Sequence, residues 1–223
     1  MWLCAGGGRL SASIYDWRMA TRPYRSSVRR QAAELTRAKI LDAAERLFEA
    51  HGYARITIVQ VAEAADVAAN TVYTVFGSKG ALVAALMERA ATDPVIAETL
   101  ERVESAVEGT EIIRFAAKGA GETVRRHERA LAIVYANETA DPLIADAARQ
   151  ADNAQFERFA QVAARLVRSG TLRDGVGHAE ASDVLAYYLG QASWRSLRRR
   201  GWSWQRCEDW LTRQVTTALL VDH

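Results

Sequence analysis

From Leu35 onward, apolar and polar residues alternate with a helical period. Ile40, Leu41, Ala44, Leu47 and Phe48 share one face, the stripe by which a surface helix packs on a core. Gly52, after His51, supplies a stop in left-handed backbone. In Thr57-Ile58-Val59-Gln60 a Thr is followed three positions later by a Gln. That is a capping box, in which each side chain satisfies an N–H left over at the helix start. The helix it opens is short, with Ile58, Val61, Ala62 and Ala65 inward, and Asp66 interrupts it. A third helix is predicted from about Ala69 to Phe76, with Val72, Val75 and Phe76 toward the core. Two short helices joined by a tight turn and braced by a longer one make a helix-turn-helix.

Gly77-Ser78-Lys79-Gly80 breaks the pattern, and a fourth helix follows through Leu82, Ala85 and Leu86. Pro94 opens another segment, and Gly109, Gly119 and Gly121 punctuate what comes next. Pro142 starts a long helix that Ser169-Gly170 ends. One helix is predicted from about Ala179 to Arg199, and Ser203 caps a last one ending near Val221. No segment alternates with period two, so the fold class is all-α. The organisation predicted is a disordered basic arm (1–30), a helix-turn-helix domain (31–79) and a larger helical domain (80–223). Met19 is an alternative start to Met1.

Composition narrows the classes. The chain has 223 residues, 49% of them hydrophobic, with only three prolines, which suits long helices. No apolar run approaches the ~18 residues of a membrane span, and the N-terminus lacks a secretory pattern. Cys4 and Cys207 are too few for a disulfide framework or a zinc site, so a cytoplasmic setting is expected. Net charge is only +2, yet Arg18, Arg22, Arg25, Arg29, Arg30, Arg37 and Lys39 are opposed by Glu34 alone. Such a block suits a polyanion, or simply a solvated tail.

The run from Arg37 to Leu82 resembles the N-terminal domain of tetracycline-repressor-type (TetR family) transcriptional regulators. Ile40, Ala44, Phe48, Gly52, Tyr53, Thr57, Val61, Ala62, Val67, Thr71, Tyr73, Phe76, Lys79 and Leu82 carry the resemblance. A weaker similarity lies in Leu197 to Leu211. The resemblance implies a homodimeric repressor that reads a palindromic double-stranded DNA operator and binds a small effector in its larger domain.

Residue chemistry can be weighed beside it. Ala69, Asn70, Thr71, Tyr73 and Thr74 are left for the outer face of the third helix. Asn pairs bidentately with adenine, while Ala and the Thr methyl suit thymine methyls. Thr71 and Tyr73 can donate to phosphates, and Thr57 and Lys79 stand at helix starts, where anions bind. The alternatives are plain: Thr57 caps, Tyr73 packs, Asn70 caps. Three departures from the family pattern remove polar anchors. Asp66 stands for a turn glycine, Ala68 for a capping Ser or Thr, and Val75 for a polar phosphate contact. Arg25, Arg29, Arg30 and Arg37 are expected to make up the missing anchorage to the DNA backbone.

In the larger domain Ile112, Phe115, Tyr135, Asn137, Phe156 and Phe159 are candidates to line a pocket for an apolar or aromatic effector. Tyr187, Tyr188, Trp194, Trp204 and Trp210 are candidates for the dimer interface. Plain core packing competes in every case. His127-Glu128 begins like a zincin motif, but Leu131 stands where the second His belongs. Glu138, Asp141, Asp146 and His178 could be gathered as a metal site, yet caps and a solvated acidic face explain them better. No cofactor, metal or catalytic residue is predicted, and no enzyme. The competing class is an all-α binding or catalytic protein without DNA binding; a further alternative is a DNA-binding regulator without a small-molecule inducer.

Overall fold

The computed structural model describes residues 22–221. Arg18 and the rest of 1–21 lie outside them, and the side chain of Arg25 is likewise not described. Eleven α-helices follow in order among the described residues: α1 Arg22–His51, α2 Ile58–Ala64, α3 Ala69–Phe76, α4 Lys79–Ala91, α5 Pro94–Ser105, α6 Gly109–Arg126, α7 Glu128–Asn137, α8 Pro142–Ser169, α9 His178–Leu189, α10 Gln191–Arg199 and α11 Trp204–Leu219. A 3-10 turn, Tyr53–Arg55, separates α1 from α2. The sole strand-like pairing among them is one bridge between Leu172 and Leu220.

The expected arm boundary at residue 30 falls inside α1, which is already helical from Arg22. The physical reason is composition: Arg, Gln, Ala, Glu and Leu between Arg29 and Leu35 are good helix formers, and no Gly or Pro interrupts them. The chain divides into two compact units, one through Lys39 and one from Ile40 onward. In the first, Arg29 and Arg30 are exposed and Arg37 is half-buried. In the second, buried residues from Ile40 to Leu220 form one cluster that continues without a gap across the expected boundary at 79/80.

The local chemistry of the first helices follows the sequence closely. Ile40, Leu41, Ala44 and Phe48 are buried and Leu47 half-buried. Gly52 ends α1 at φ 83, with its N–H on Phe48 O at 2.9 Å, but its ψ of 147 is extended rather than left-handed helical. Both halves of the capping box are made: Gln60 N–H donates to Thr57 Oγ1 at 3.3 Å, and Thr57 N–H to Gln60 Oε1 at 2.9 Å. Asp66 holds the interhelix turn at φ 55, the one non-glycine residue with positive φ among the described residues. Asp tolerates that region better than most side chains.

Two expectations about the later helices need correction. Gly119 and Gly121 do not punctuate the chain; they lie inside α6. A Cβ at Gly119 would collide with Thr99 of α5, and one at Gly121 with the Trp194 ring of α10. The helix tolerates both at about 1 kcal/mol each because their absence of side chain lets two neighbours come close. The single helix expected over 179–199 is two, α9 and α10, broken at Gly190 with ψ 150. Carbonyls freed by the break find side-chain partners: Trp194 Nε1–H donates to Leu189 O at 3.1 Å, and Ser193 Oγ–H to Tyr187 O at 2.6 Å.

The start of α3 has no such partner. Ala68 holds the extended backbone of an N-cap, φ −68 and ψ 143, with no side-chain cap. Ala68→Ser is therefore expected to stabilise the fold by about 1 kcal/mol. A shift of the urea midpoint upward at unchanged slope checks it.

Candidate nucleic-acid interface and effector cavity

Helix α3 presents the candidate reading face. Val72 is fully buried and anchors it. Asn70, Tyr73 and Thr74 are exposed, while Ala69 and Thr71 are half-buried, and Ala69 packs on the core. Val75, expected to point inward, is instead exposed. At 100° per residue it lies three positions beyond Val72 but on the rim of that stripe, and Phe76 covers the core beside it. The outer face is thus Asn70, Tyr73, Thr74 and Val75. Val75 is an apolar group the sequence pattern assigned to the core, because i, i+3 spacing cannot separate the centre of a stripe from its edge.

Hydrogen bonds sort the polar candidates further. Thr74 Oγ1–H donates back to Asn70 O at 2.8 Å, so its proton is engaged within the helix. Thr57 Oγ1 is enclosed by its capping box. Lys79 does not extend freely: its ammonium lies 4.2 Å from the centre of the Tyr53 ring and 3.5 Å from Ala54 O. Burial lowers its pKa from the ordinary lysine value. Asn70 and Tyr73 remain open to solvent. Arg55, in the 3-10 turn just before α2, is exposed. Sequence reasoning misses it, since its only signal is a basic residue two positions before the Thr57 cap.

The helix-turn-helix is tied to the larger helices at a few points. Ser78 caps α4 directly after α3, accepting from Ala81 N–H at 3.1 Å. Arg89 of α4 reaches Asp42 and Glu45 of α1, each at 2.6 Å. The third point is Asp141, which caps α8 by accepting from Leu143 N–H at 2.9 Å. Its Oδ2 also accepts from the Tyr53 hydroxyl at 3.2 Å. It sits so near Gly80 in the first turn of α4 that any Cβ there would collide with it. Partial burial, and then the Asp141 carboxylate, push the Tyr53 phenol up to about 12.

Two adjoining cavities lie among the helices behind. The first, about 60 Å³, is walled by Ile96, Leu100, Ala116 and Gly119 of α5 and α6, and by Phe159 and Val162 of α8. The second, about 40 Å³, is walled by Met87 and Ala90 of α4, Leu131 and Tyr135 of α7, and Asp152 of α8. Thr123, Gln155 and Arg158 border both. Tyr135 donates its hydroxyl proton to Asp152, and burial raises its pKa well above the usual phenol value.

Of the expected pocket residues, Tyr135 and Phe159 line these cavities and the others stand elsewhere. Ile112 is fully buried core. Phe115 is half-buried beneath the Arg114 guanidinium, 5.0 Å from its ring centre. Asn137 donates to Ile133 O at 2.7 Å within its own helix. Phe156 is exposed on the outer side of α8. Its neighbours Gln155 and Arg158 take the inward positions, a choice that hydrophobicity alone would have reversed.

The expected interface aromatics also separate. Trp194 is 1% exposed, locked by its bond to Leu189 O and by Gly121. It is interior, not surface. Trp204 and Trp210 are half-buried against the core, and Tyr188 packs edge-on to Trp210. Tyr187 alone of the five is largely exposed, at 75%.

Three of the four residues weighed as a metal site are used separately. Asp141 caps α8, Asp146 pairs with Arg149, and His178 Nε2 lies 2.9 Å from Ala160 O. Among the described residues no cluster of His, Cys, Asp and Glu is arranged to hold a metal, and no helix is long and apolar enough to cross a membrane.

Residues 40–86 match the family model described as bacterial regulatory proteins, tetR family. The HTH-type transcriptional regulator TtgR of Pseudomonas putida is 42% identical over 59 residues, 26% of this chain. The chain spans 28% of the length of that curated relative. Among solved structures, NalD, the secondary repressor of the MexAB-OprM multidrug efflux pump in Pseudomonas aeruginosa, superposes with a TM-score of 0.67 at 21% identity. The match covers 86% of this chain and all of that one. The complex of SmeT with triclosan gives 0.64 at 22% identity, over 84% of this chain and 92% of that one; SmeT is the repressor of a Stenotrophomonas maltophilia efflux pump. At these identities the likeness establishes a common fold.

The Tyr53–Asp141 contact carries its own test. The folded state keeps the Tyr53 proton from pH 10.0, its ordinary value, to about 12, while the unfolded chain gives it up. Its contribution to stability is thus complete below pH ~10 and fades as pH climbs through ~12. Tyr53→Phe is expected to flatten that alkaline decline and to remove one late-ionising phenol from the ultraviolet titration. An unchanged titration would refute the contact.

Proposed function

We propose that this chain, which carries the N-terminal domain of the tetR family of bacterial regulatory proteins, is a ligand-responsive homodimeric repressor of transcription that reads a palindromic operator. The observation that carries this is the outer face of α3, with Asn70 and Tyr73 open on a helix fixed by Val72 and a capped, tightly turned partner. An uncharged polar face of this size suits the major groove, where Asn70 can pair with adenine and Val75 can meet a thymine methyl. Tyr73 would donate to a phosphate. Lys79 acts through Tyr53 and Ala54 as a positive surface rather than as a reaching side chain. Arg55, with Arg29, Arg30 and Arg37, would supply backbone charge contacts, working on DNA in the cytoplasm.

Dimerisation is best supported by α8 and α9, which pack on each other. Together they leave Leu143, Phe156, Val167 and Tyr187 exposed. Isolated apolar side chains on a surface are ordinary, but four on one helix pair suit a shared interface core with aromatic anchors. Of the expected interface aromatics this keeps Tyr187 and leaves Trp194, Trp204 and Trp210 to packing on the core.

The effector would occupy the paired cavities. At about 60 and 40 Å³ each is smaller than the ~150 Å³ that holds benzene, so a ligand must widen them. Met87 and Ala90 of α4 form part of the wall, and α4 begins at the end of the reading head. A ligand that favours the widened state shifts α4, and with it the spacing of two reading heads. That differential affinity is all that repression and release require.

Gel retardation of DNA upstream of its own gene, titrated with salt, tests the whole reading. Asn70→Ala is expected to weaken specific binding by about 1–3 kcal/mol and to relax base choice at one position of each half-site. Arg29→Ala with Arg30→Ala is expected to lower the salt slope of log K by roughly 0.9 for every phosphate the arginines no longer neutralise. Retardation that Asn70→Ala leaves unaffected in both strength and sequence preference would exclude α3 as the reading helix.

A further inference from the structure

Arg158 is the one charged side chain in the wall of the first cavity, and it borders the second as well. From residue 40 onward, five other arginines are similarly half-buried, and all have partners. Arg89 binds Asp42 and Glu45, Arg165 the carbonyls of Glu104 and Ala106, and Arg173 that of Leu220. Arg195 binds Gln191 Oε1, and Arg198 binds Trp202 O. Arg158 has no hydrogen bond or ion pair among the described residues. Burial lowers its pKa from the ordinary arginine value, and the field of its neighbour Glu157 only partly opposes that. Gln155, one turn back on the same face of α8, borders both cavities too, and its amide has no partner among the described residues.

A half-buried guanidinium whose five donors have no protein partner is open to a charged acceptor that displaces water. Around it the walls are apolar: Ile96, Leu100, Ala116, Phe159 and Val162. The other charged lining group, Asp152, is confined to the second cavity and already accepts from Tyr135. Asp152 is not among the charges that perturb Arg158.

We infer that the effector is an organic monocarboxylate with a compact apolar body, its carboxylate paired bidentately with Arg158 and its body lying between α5, α6 and α8. This rests on the proposed effector site and replaces the apolar or aromatic ligand expected from sequence with an amphipathic anion. A planar carboxylate matches the guanidinium fork in two parallel N–H···O bonds. Gln155 is placed to donate a third. A single guanidinium neutralises a single charge, which favours a monoanion over a phosphate ester.

The test needs no DNA. Calorimetric titration of the full chain with straight-chain carboxylates from butanoate to decanoate, and with benzoate, is compared with the matching alcohols and amines. The expected result is saturable binding of at least one carboxylate, on the order of tenfold or more tighter than its alcohol, and none of the amine. Arg158→Met, with folding verified by circular dichroism, should erase the preference for carboxylate over alcohol, and Arg158→Lys should keep part of it. Equal binding of alcohol and carboxylate, absence of any saturable carboxylate, or an unchanged preference in Arg158→Met overturns the inference. Operator release is then measured separately. Carboxylate binding through Arg158 without release upholds the site and removes its regulatory role, whereas operator binding in a chain that ignores carboxylates removes the site and leaves the DNA reading intact.

Discussion

Packing of α4 against α8 is the constraint on which the rest of the second unit depends. Leu82, Leu86 and Ile144 are fully buried and Ala148 nearly so, and the two helices come close at their first turns because Gly80 presents no side chain to Asp141. Burying such leucines and isoleucines stabilises by about 1.5–3 kcal/mol each, far more than the exposed ion pairs nearby. Helix α8 therefore meets the helix-turn-helix at its start, lines the cavities at its middle and shows Phe156 outward at the same level.

Polar groups at the helix starts are satisfied locally. Caps at Thr57, Ser78, Asp93, Asp141 and Ser203 close helix starts with their own side chains. Asp93 does more: it also meets Arg126 at 3.2 Å and His127 at 2.8 Å. Its carboxyl stays below the ordinary aspartate value, although burial alone would raise it, because the Val95 N–H, His127 and Arg126 together outweigh that burial. Against this background of satisfied groups, an unpaired arginine at a cavity wall is conspicuous.

Much of the reading head was legible in sequence because its signals are local. A Thr and a Gln three apart make a capping box whatever lies beyond them, and Asp66 marks a left-handed turn on its own account. The larger domain was less legible because its determinants are contacts between distant segments. Gly121 reads as a helix breaker until Trp194 is seen against it. Phe156 reads as inside, and the fold places it outside while Arg158 turns toward the cavities, since periodicity gives the spacing of a face but not which neighbour it meets. Arg22 to Arg30 read as part of an arm because the apolar spacing there is poor, yet the helix runs through them.

Helix α6 gives one last consequence. Two residues apart on a helix means roughly opposite faces, so Gly119 turns bare backbone toward α5 and the first cavity while Gly121 turns it toward Trp194. Most helices cushion their neighbours with side chains that can change rotamer. At this level α6 has none on either side, and the distance between the two layers it separates is set by the width of a polypeptide backbone. Such a helix behaves as a rigid shim. A molecule on the Gly119 side would meet no side chain of α6 there, and the Trp194 indole lies against the opposite face at Gly121.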